Sequence, residues 1–279
     1  MSVKVYKGCV EALSWVVHFG DEKTGSTPIL RRAAYYVPVL GQTVEIPFIA
    51  GNAVRGNLRR LVMRDMLDRV GYEVKSEKLY HALFAGGVLE STDESTGVLD
   101  LAFRRAVRSG IPPLGLFGAS IGNQMVDSSL KVMHMIPVCA ETAHNLPYEL
   151  ATDPRAEKSF RSFLGYIHHT RRDELRAERE ADEQAVQMLV EFEAFVPGTL
   201  FYHKFALEYA SELETACFGH VLGLWAEHPW VGGKSATGYG EIRFSYEPRP
   251  ADPTPYLEYL DQCGDKVRAL LAELEARLG

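Results

Sequence analysis

The pattern of apolar and polar residues divides the chain into stretches with a two-residue period and stretches with a helical period. Residues 3–19 alternate loosely between the two kinds of side chain and contain Val, Tyr and Trp, which predicts a β-strand. The segment GDEKTGSTP that follows has the composition of a loop. The runs ILRRAAYYVPVL and VEIPFI, on either side of Gly41 and Gln42, then predict a hairpin that carries Arg31 and Arg32.

The spacing changes to that of a helix between Asn52 and Val70. The apolar positions recur at intervals of three, four and seven residues, at Val54, Leu58, Leu61 and Val62. Asn52 is a residue type that accepts a hydrogen bond from the first turn, so we expect it to be the N-cap. Gly71 is suited to end the helix in a left-handed conformation.

The middle of the chain alternates between short helices and polar segments. Helices are predicted at 79–84 and 98–108, with the acidic, turn-rich loop AGGVLESTDESTG between them. The run QMVDSSLKVMHMIPV predicts a strand or a long hairpin arm. Residues 145–180 are dense in charges of both signs and predict an inserted arm or a partly disordered loop outside the core.

The last third of the chain predicts further strands and two helices. MLVEFEAFVPGTLFYHKFALEY contains two alternating runs around Pro197 and Gly198, which predicts a hairpin. A helix at 213–227, a glycine-rich loop entering a strand, and an amphipathic helix from Tyr256 to the end follow. The order strand, helix, strand, strand, helix, strand predicts an α+β fold of the ferredoxin-like βαββαβ kind, formed by the single domain 1–279.

The composition excludes some classes of function but does not identify one. The net charge of −7 over 279 residues argues against an all-round basic protein, but arginines collect in a few segments, so a basic face remains compatible with nucleic-acid binding. The four cysteines stand far apart and form no CxxC pair, which indicates neither a zinc site nor a disulfide framework. No apolar run is long enough to span a membrane, so we expect a cytoplasmic protein that does not bind membranes.

The segment IPFIAGNAVRGNLRR is the first candidate for binding chemistry. A strand ends at Gly51, and the helix that begins there places Arg55 and Arg59 one turn apart, with Arg60 beside them. Free N–H groups at the start of a helix, together with arginines, bind phosphate by donating hydrogen bonds to its oxygens. A solvated helix face is the alternative, but glycine inside a helix, as at Gly56, is typical of a close approach by another backbone.

The segment GGKSATGYGEIRF is the second candidate. It contains GKS, but the phosphate-binding loop of nucleotide hydrolases requires a further upstream glycine, where this chain has His228. We therefore exclude nucleotide hydrolysis. The loop can instead wrap an RNA backbone through Lys234, Ser235 and Thr237 while Tyr239 stacks on a base. A plain hairpin turn would need fewer glycines.

Candidates for catalysis are weak. The glycine-punctuated LFGASIGNQM suggests tight turns but no chemistry. His18 and Asp21 flank the first loop, where a solvated aspartate is the common finding. His168 and His169 have no cysteine or carboxylate at ligand spacing. We therefore predict no catalytic residue, no metal and no cofactor.

Taken together, HFGDEKTGS, IPFIAGNAVRG, LFGASIGNQ and GGKSATGYGEI resemble the RAMP superfamily of CRISPR-associated proteins. The resemblance is strongest to the repeated backbone subunit of multi-subunit effectors, in its type IV version. It implies an RRM-like palm with inserted thumb and finger elements. On this chain these would be a loop and hairpin insertion at 20–45, a helical finger at 75–120, a charged thumb-like arm at 145–182 and a C-terminal helix at 250–279.

The resemblance also implies a role and a set of residues. Such subunits bind guide RNA (crRNA) without sequence specificity and polymerise head to tail along it. They assemble with other effector subunits and present the guide to target DNA or RNA. By position, Gly51, Asn52, Arg55, Gly56 and Arg59 match the family's strand-to-helix signature that contacts the guide backbone, and the loop 232–240 matches its C-terminal glycine-rich loop. The full set of RNA-binding residues that we predict is Arg31, Arg32, Asn52, Arg55, Gly56, Arg59, Arg60, Asn123, Gln124, Gly232, Gly233, Lys234, Ser235, Gly238 and Tyr239.

Three other functions stay open at this point. A guide-processing endoribonuclease of the same superfamily would need a general base, for which His18 is the candidate. A subunit that cleaves target RNA would use Asp21, although Glu22 and Lys23 beside it depart from the family's loop. A scaffold that binds only protein would show no salt-dependent affinity for RNA.

Overall fold

The computed structural model describes residues 3–24, 27–87, 100–122, 124–171 and 188–278. The strands are β1 (Val3–Ala12), β2 (Phe19–Thr24), β3 (Thr27–Leu30), β4 (Arg32–Val37), β5 (Gln42–Pro47), β6 (Ala119–Ile121), β7 (Gln124–Val126), β8 (Leu130–Val132), β9 (Ile136–Pro137), β10 (Leu164–Arg171), β11 (Met188–Phe195), β12 (Leu200–Glu208) and β13 (Ile242–Glu247). The helices are α1 (Gly51–Val70), α2 (Glu77–Phe84), α3 (Leu101–Gly110), α4 (Pro112–Phe117), α5 (Tyr148–Ala151), α6 (Glu212–Glu227) and α7 (Thr254–Leu278).

A central antiparallel sheet organises these elements. Its strands lie in the order β13-β1-β12-β8, and β9 continues beside β12. Tyr6 on β1 faces Phe205 on β12, and Val10 faces Phe244 on β13. Helix α1 comes between β1 and β8 in the chain, and α6 comes between β12 and β13. The fold is therefore α+β, with four main strands in the spatial order fourth, first, third, second.

The main core lies between one face of this sheet and the helices α1, α6 and α7. Alternate β1 side chains are buried, as the two-residue period predicts, and they pack with Phe205, Phe218 and Trp225. The predicted apolar stripe of α1 is confirmed, because Val54, Leu58 and Val62 are buried.

The ends of α1 confirm one prediction and correct another. Gly71 ends the helix with a φ of 64°, in the left-handed conformation expected of it. The prediction of Asn52 as N-cap is wrong. The N-cap is Ala50, which provides no side-chain hydrogen bond, and the N–H of Gly51 donates to a histidine from another segment instead.

Two predicted hairpins have different outcomes. The hairpin β4–β5 forms, and Gly41 lies in its turn with a φ of 61°. The strands β11 and β12 also form, but they do not pair with each other, so the hairpin predicted there is wrong. Strand β12 is enclosed between β1 and β8, which leaves no free edge for β11, and β11 pairs with β10 instead.

The pair β10–β11 forms a separate two-stranded ribbon whose first strand belongs to the charged segment at 145–182. The residues before it are partly buried in the protein, since Phe160 and Phe163 pack against Ile46 and Cys139. Strand β11 also contacts β3, where the N–H of Leu30 donates to Glu193.

None of the helices in the described ranges is long and apolar enough to cross a membrane.

Candidate nucleic-acid interface

The beginning of α1 is packed tightly against the last residue of β8 and the residue after it. A Cβ atom on Gly51 would lie 2.4 Å from the carbonyl oxygen of Val132 and 2.6 Å from that of Met133, so only glycine fits there. The N–H of Gly51 donates to Nδ1 of His134 over 2.9 Å. The first N–H of the helix is therefore already used, although the neighbouring Asn52 is exposed.

The guanidinium of Arg55 points into the protein. It donates to the carbonyl oxygen of Leu130 over 2.8 Å, to Oγ of Ser128 over 2.9 Å and to the carbonyl oxygen of Phe117. It also lies over the ring of Phe117, 5.5 Å from the ring centre. Burial lowers the pKa of Arg55 from its ordinary value. These contacts join α1 to the end of α4, to the loop before β8 and to the first residue of β8.

Arg59 is buried more completely and caps two other helices. Its side chain is 5% exposed and donates to the carbonyl oxygens of Ala82 and Leu83, in the last turn of α2, and to that of Gly118, just after α4. Carbonyls at helix ends lack partners within their own helix and carry partial negative charge. Burial, with a smaller effect from nearby Arg55, lowers the pKa of Arg59 to about 10.

These contacts correct the expected role of the α1 arginines. We expected Arg55 and Arg59 to contact phosphate, but their donors are already used by carbonyl oxygens inside the fold. Gly56 was expected to admit another backbone, yet a Cβ there would meet only the flexible end of Arg60, at 3.3 Å. Arg60 is exposed and is the arginine of this group that remains accessible.

The glycine-rich loop 232–240 is fixed at both ends. The N–H of Gly233 donates to the carbonyl oxygen of Val17 over 2.9 Å, and that of Gly240 donates to Trp15 over 2.8 Å. Gly232 has a φ of 74°, and a Cβ on it would lie 2.2 Å from the carbonyl oxygen of Val17. Glycine is required here both by conformation and by close approach.

Between these anchors the loop is open to solvent. Residues 232–238 are all exposed, including Lys234, Ser235 and Thr237. Lys234 adopts a left-handed conformation with a φ of 61°, and its Nζ lies over the ring of Phe192 on β11, 4.9 Å from the ring centre. The ribbon therefore contacts the loop through Lys234, and the hydroxyl of the exposed Thr237 donates to the carbonyl oxygen of Lys234 over 2.9 Å.

Tyr239 does not take part in this open surface. Its ring is 8% exposed and packs against Val17 and Phe192. Its hydroxyl makes a hydrogen bond with Nε2 of His169 on β10. The expected stacking of Tyr239 on a base is therefore corrected: the ring belongs to a small core that joins the loop to the ribbon.

The two arginines predicted on the first hairpin differ in their surroundings. Arg32 contacts both carboxylate oxygens of Glu193, at 2.7 Å and 2.9 Å. Arg31 makes no side-chain hydrogen bond or ion pair with the described residues, and its Nε is buried without a partner. Its N–H donates to the carbonyl oxygen of His18 over 2.8 Å.

The remaining candidates have other surroundings. Gln124 is 7% exposed and accepts a hydrogen bond from the N–H of Asp100, which gives it a structural role. Asn123 is outside the described residues. Asp21 is exposed on β2. Nowhere in the described part of the chain do three histidine, cysteine or acidic side chains form a group suited to a metal ion.

Backbone contacts join the accessible candidates into one region. Residues 15–17 hold the glycine loop, and His18 next to them holds Arg31. The carbonyl of Arg31 accepts from the N–H of Phe48, whose ring lies 4.8 Å from that of His134. Sequence reasoning missed His134, because a single histidine in an apolar strand segment carries no recognisable motif.

No family model and no curated protein matches the sequence. The chain is similar to a solved chain described as "Type IV-B CRISPR Complex", with a TM-score of 0.66 and 24% sequence identity. The similarity covers 93% of this chain and 98% of the other, so the two chains share their fold over nearly their full lengths.

Proposed function

We propose that this chain is a backbone subunit of a CRISPR effector ribonucleoprotein and that it binds guide RNA. The observation that carries the proposal is the shared fold, which extends over 93% of this chain and includes the core as well as its additions. The strand order fourth, first, third, second, with helices after the first and third strands, supports a ferredoxin-like palm of the RAMP kind.

The open glycine loop supports RNA binding by this palm. It presents an ammonium group on Lys234 and hydroxyls on Ser235 and Thr237, all exposed on a loop whose ends are fixed. Such groups bind phosphate and sugar rather than base edges, so binding is independent of sequence. Base pairing by the guide then selects the target DNA or RNA.

The small number of cationic groups on this loop favours several copies on one guide. The loop offers RNA one cationic side chain, Lys234, so a single copy gains few phosphate contacts and its affinity for RNA is low. Copies that bind neighbouring stretches of one RNA and contact each other head to tail gain avidity without any new kind of contact. Other effector subunits would complete the complex.

The test is co-expression of the chain with a guide RNA, followed by size-exclusion chromatography and nuclease digestion. We expect a large particle whose RNA is protected in fragments that increase by a constant length. A monomer without nucleic acid that also fails to bind added RNA at low salt would contradict the proposal.

The same particle tests for ribonuclease activity. Labelled RNA complementary to the guide is incubated with particles of the natural chain and of Asp21→Asn. We expect the RNA to remain intact in both. Cleavage that is lost in Asp21→Asn, with guide binding unchanged, would make the chain a target-cleaving subunit instead.

A further inference from the structure

The hairpin β4–β5 ends in a tip of apolar side chains that its own chain leaves uncovered. Val39 is 90% exposed, the largest fraction among the large apolar side chains of the described residues. Tyr36 and Leu40 beside it are 61% and 55% exposed. The tip is an ordered turn, because the N–H of Leu40 donates to the carbonyl oxygen of Val37 over 3.0 Å. Exposed apolar groups that lie together mark a surface for a partner.

The base of the hairpin holds this tip in a fixed position. Tyr35 and Val44 pack against the cluster that contains Phe160, and Arg32 pairs with Glu193. Among the described residues, β4 and β5 pair only with each other, so each strand has one open edge. A rigid apolar tip loses little conformational entropy when it enters a pocket.

A groove of complementary character lies between α6 and β13. Its volume is about 740 Å³, and its lining includes Leu222, Phe244 and Pro248 together with the small residues Gly223 and Ala226. Pockets that enclose a bound molecule have volumes of about 300–1,000 Å³. In the described part of the chain, β13 pairs only with β1, so the strand that lines the groove has an open edge. An open edge beside an apolar groove accepts a further strand or hairpin.

Gly223 indicates that this groove is kept open for a partner. It lies in the interior of α6, where glycine is unfavourable relative to alanine. A Cβ atom on Gly223 would meet no heavy atom within 4 Å, so no contact within the chain requires glycine there. By contrast, a Cβ atom on Gly219, one turn earlier, would lie 2.1 Å from the carbonyl oxygen of Ala251. Gly219 is therefore required by the fold, whereas Gly223 is explained by a group that approaches α6 from outside.

The charges of the two surfaces favour a second copy of the chain as the partner. Copies repel each other, because each carries a net charge of −7. Residues 36–44 include no charged residue, and the charged residues that line the groove are Glu247 and Arg249, whose charges cancel. The tip and the groove can therefore meet without repulsion between like charges, and each covers an apolar surface that the other copy leaves exposed.

We propose that the hairpin tip 36–41 of one copy inserts into the groove between α6 and β13 of the next copy. This inference rests on the proposed function, and it names the two surfaces through which copies on one guide contact each other. Because the two surfaces differ, a row of copies has a free tip at one end and a free groove at the other. The contact can therefore repeat head to tail along the RNA.

The first test compares binding to RNA of two lengths. Val39→Asp places a charge on the tip, and Gly223→Leu fills the groove. We expect each variant to lower the affinity for a guide-length RNA by at least about tenfold, because avidity between copies is lost, and to leave the affinity for an RNA of one protected interval unchanged. Tyr148→Asp is the matched control, since it places the same charge on another highly exposed apolar residue, on α5, and it is expected to bind both RNAs like the natural chain.

Thermal unfolding of the free protein separates loss of the contact from loss of folding. Val39 is exposed, and Gly223→Leu adds a side chain in open space while it removes a glycine from a helix interior. We therefore expect melting temperatures equal to or above that of the natural chain. If both variants assembled on guide-length RNA as readily as the natural chain, the contact would be overturned and the proposed function would stand.

Cross-linking tests the contact between copies directly. Cys9→Ser and Cys263→Ser remove the two cysteines that are not buried, and Val39→Cys and Gly223→Cys are then introduced into separate copies of that chain. We expect a short bifunctional maleimide to give a covalent dimer only when the two kinds of copy are mixed, both on RNA and in concentrated free protein. Dimers of a protein that binds no RNA would uphold the contact and overturn the proposed function. A mixture that gives no dimer in either condition would overturn the contact.

Discussion

The start of α1 and the loop 232–240 are similar in composition, but Arg55 and Arg59 of α1 point into the protein and Lys234 of the loop is exposed. Both combine glycines with basic residues, and both were expected to contact an RNA backbone. The guanidiniums of Arg55 and Arg59 turn inward onto carbonyl oxygens. Lys234 and its neighbours are instead exposed, on a loop whose ends are held by backbone hydrogen bonds and whose Lys234 also contacts the ring of Phe192.

The difference follows from what surrounds each segment. Helix α1 lies where α2 and α4 end, and their last carbonyls need donors that the buried Arg59 supplies. The N–H groups of Gly233 and Gly240 hold the ends of the glycine loop, so Ser235 and Thr237 between them are not needed as donors to neighbouring segments. The role of a basic residue is thus decided by the backbone groups that neighbouring segments leave unpaired.

The largest effect is expected from Arg59→Met. The substitution keeps much of the side-chain volume but leaves the carbonyls of α2 and α4 without donors, so we expect a loss of about 3 kcal/mol in the free energy of unfolding. Urea denaturation measures it. Arg60→Met is the matched control, because Arg60 is exposed on the same helix, and it should change stability by less than about 0.5 kcal/mol. Equal stability of the two variants would contradict the assignment of Arg59 as a capping residue.

The two glycines of α1 give the next contrast. Gly51→Ala places a methyl group against the carbonyls of Val132 and Met133, and we expect a loss of about 2 kcal/mol. Gly56→Ala meets only the end of Arg60 and removes a flexible residue from the helix interior, so we expect a gain of about 0.5–1 kcal/mol. A melting temperature of Gly51→Ala equal to that of the natural chain would show that the helix start is less closely packed than described.

The loop side of the comparison is tested by Lys234→Gln. We expect RNA binding to weaken and the salt slope to fall by about 0.7, because one phosphate contact is lost, with little change in stability. Lys266→Gln, on the exposed side of α7, controls for the loss of one positive charge. Fluorescence anisotropy at several salt concentrations measures both. An unchanged salt slope in Lys234→Gln would show that the RNA does not contact this loop through Lys234.

The sequence predicted the helices better than the strand pairing. The period of α1 and its glycine stop are local properties, so they were predicted correctly. Strand β11 could pair with β12 only if β12 had a free edge. Both edges of β12 are occupied, one by β1 and the other by β8, and both of these strands come more than sixty residues earlier in the chain. Hydrophobic alternation identifies a strand but not its neighbour, which explains the incorrect hairpin.

The candidate site shows the same limit at the level of side chains. Sequence composition located the exposed glycine loop, but it could not separate Arg31 from Arg32 or identify His134. These differences depend on Glu193 and Gly51, which come from distant segments. Burial of Tyr239 was likewise missed, because its partner Phe192 lies on the ribbon rather than in the loop.

The smallest expected effect is that of Tyr239→Phe, which tests where the open surface of the loop ends. The ring remains packed against Phe192, and only the hydroxyl contact with His169 is lost, so we expect a decrease of about 0.5–1 kcal/mol in stability. RNA affinity and its salt slope should stay as in the natural chain, because the hydroxyl faces the ribbon. If the slope instead fell as far as in Lys234→Gln, Tyr239 would contact RNA directly and the interface would include the base of the loop.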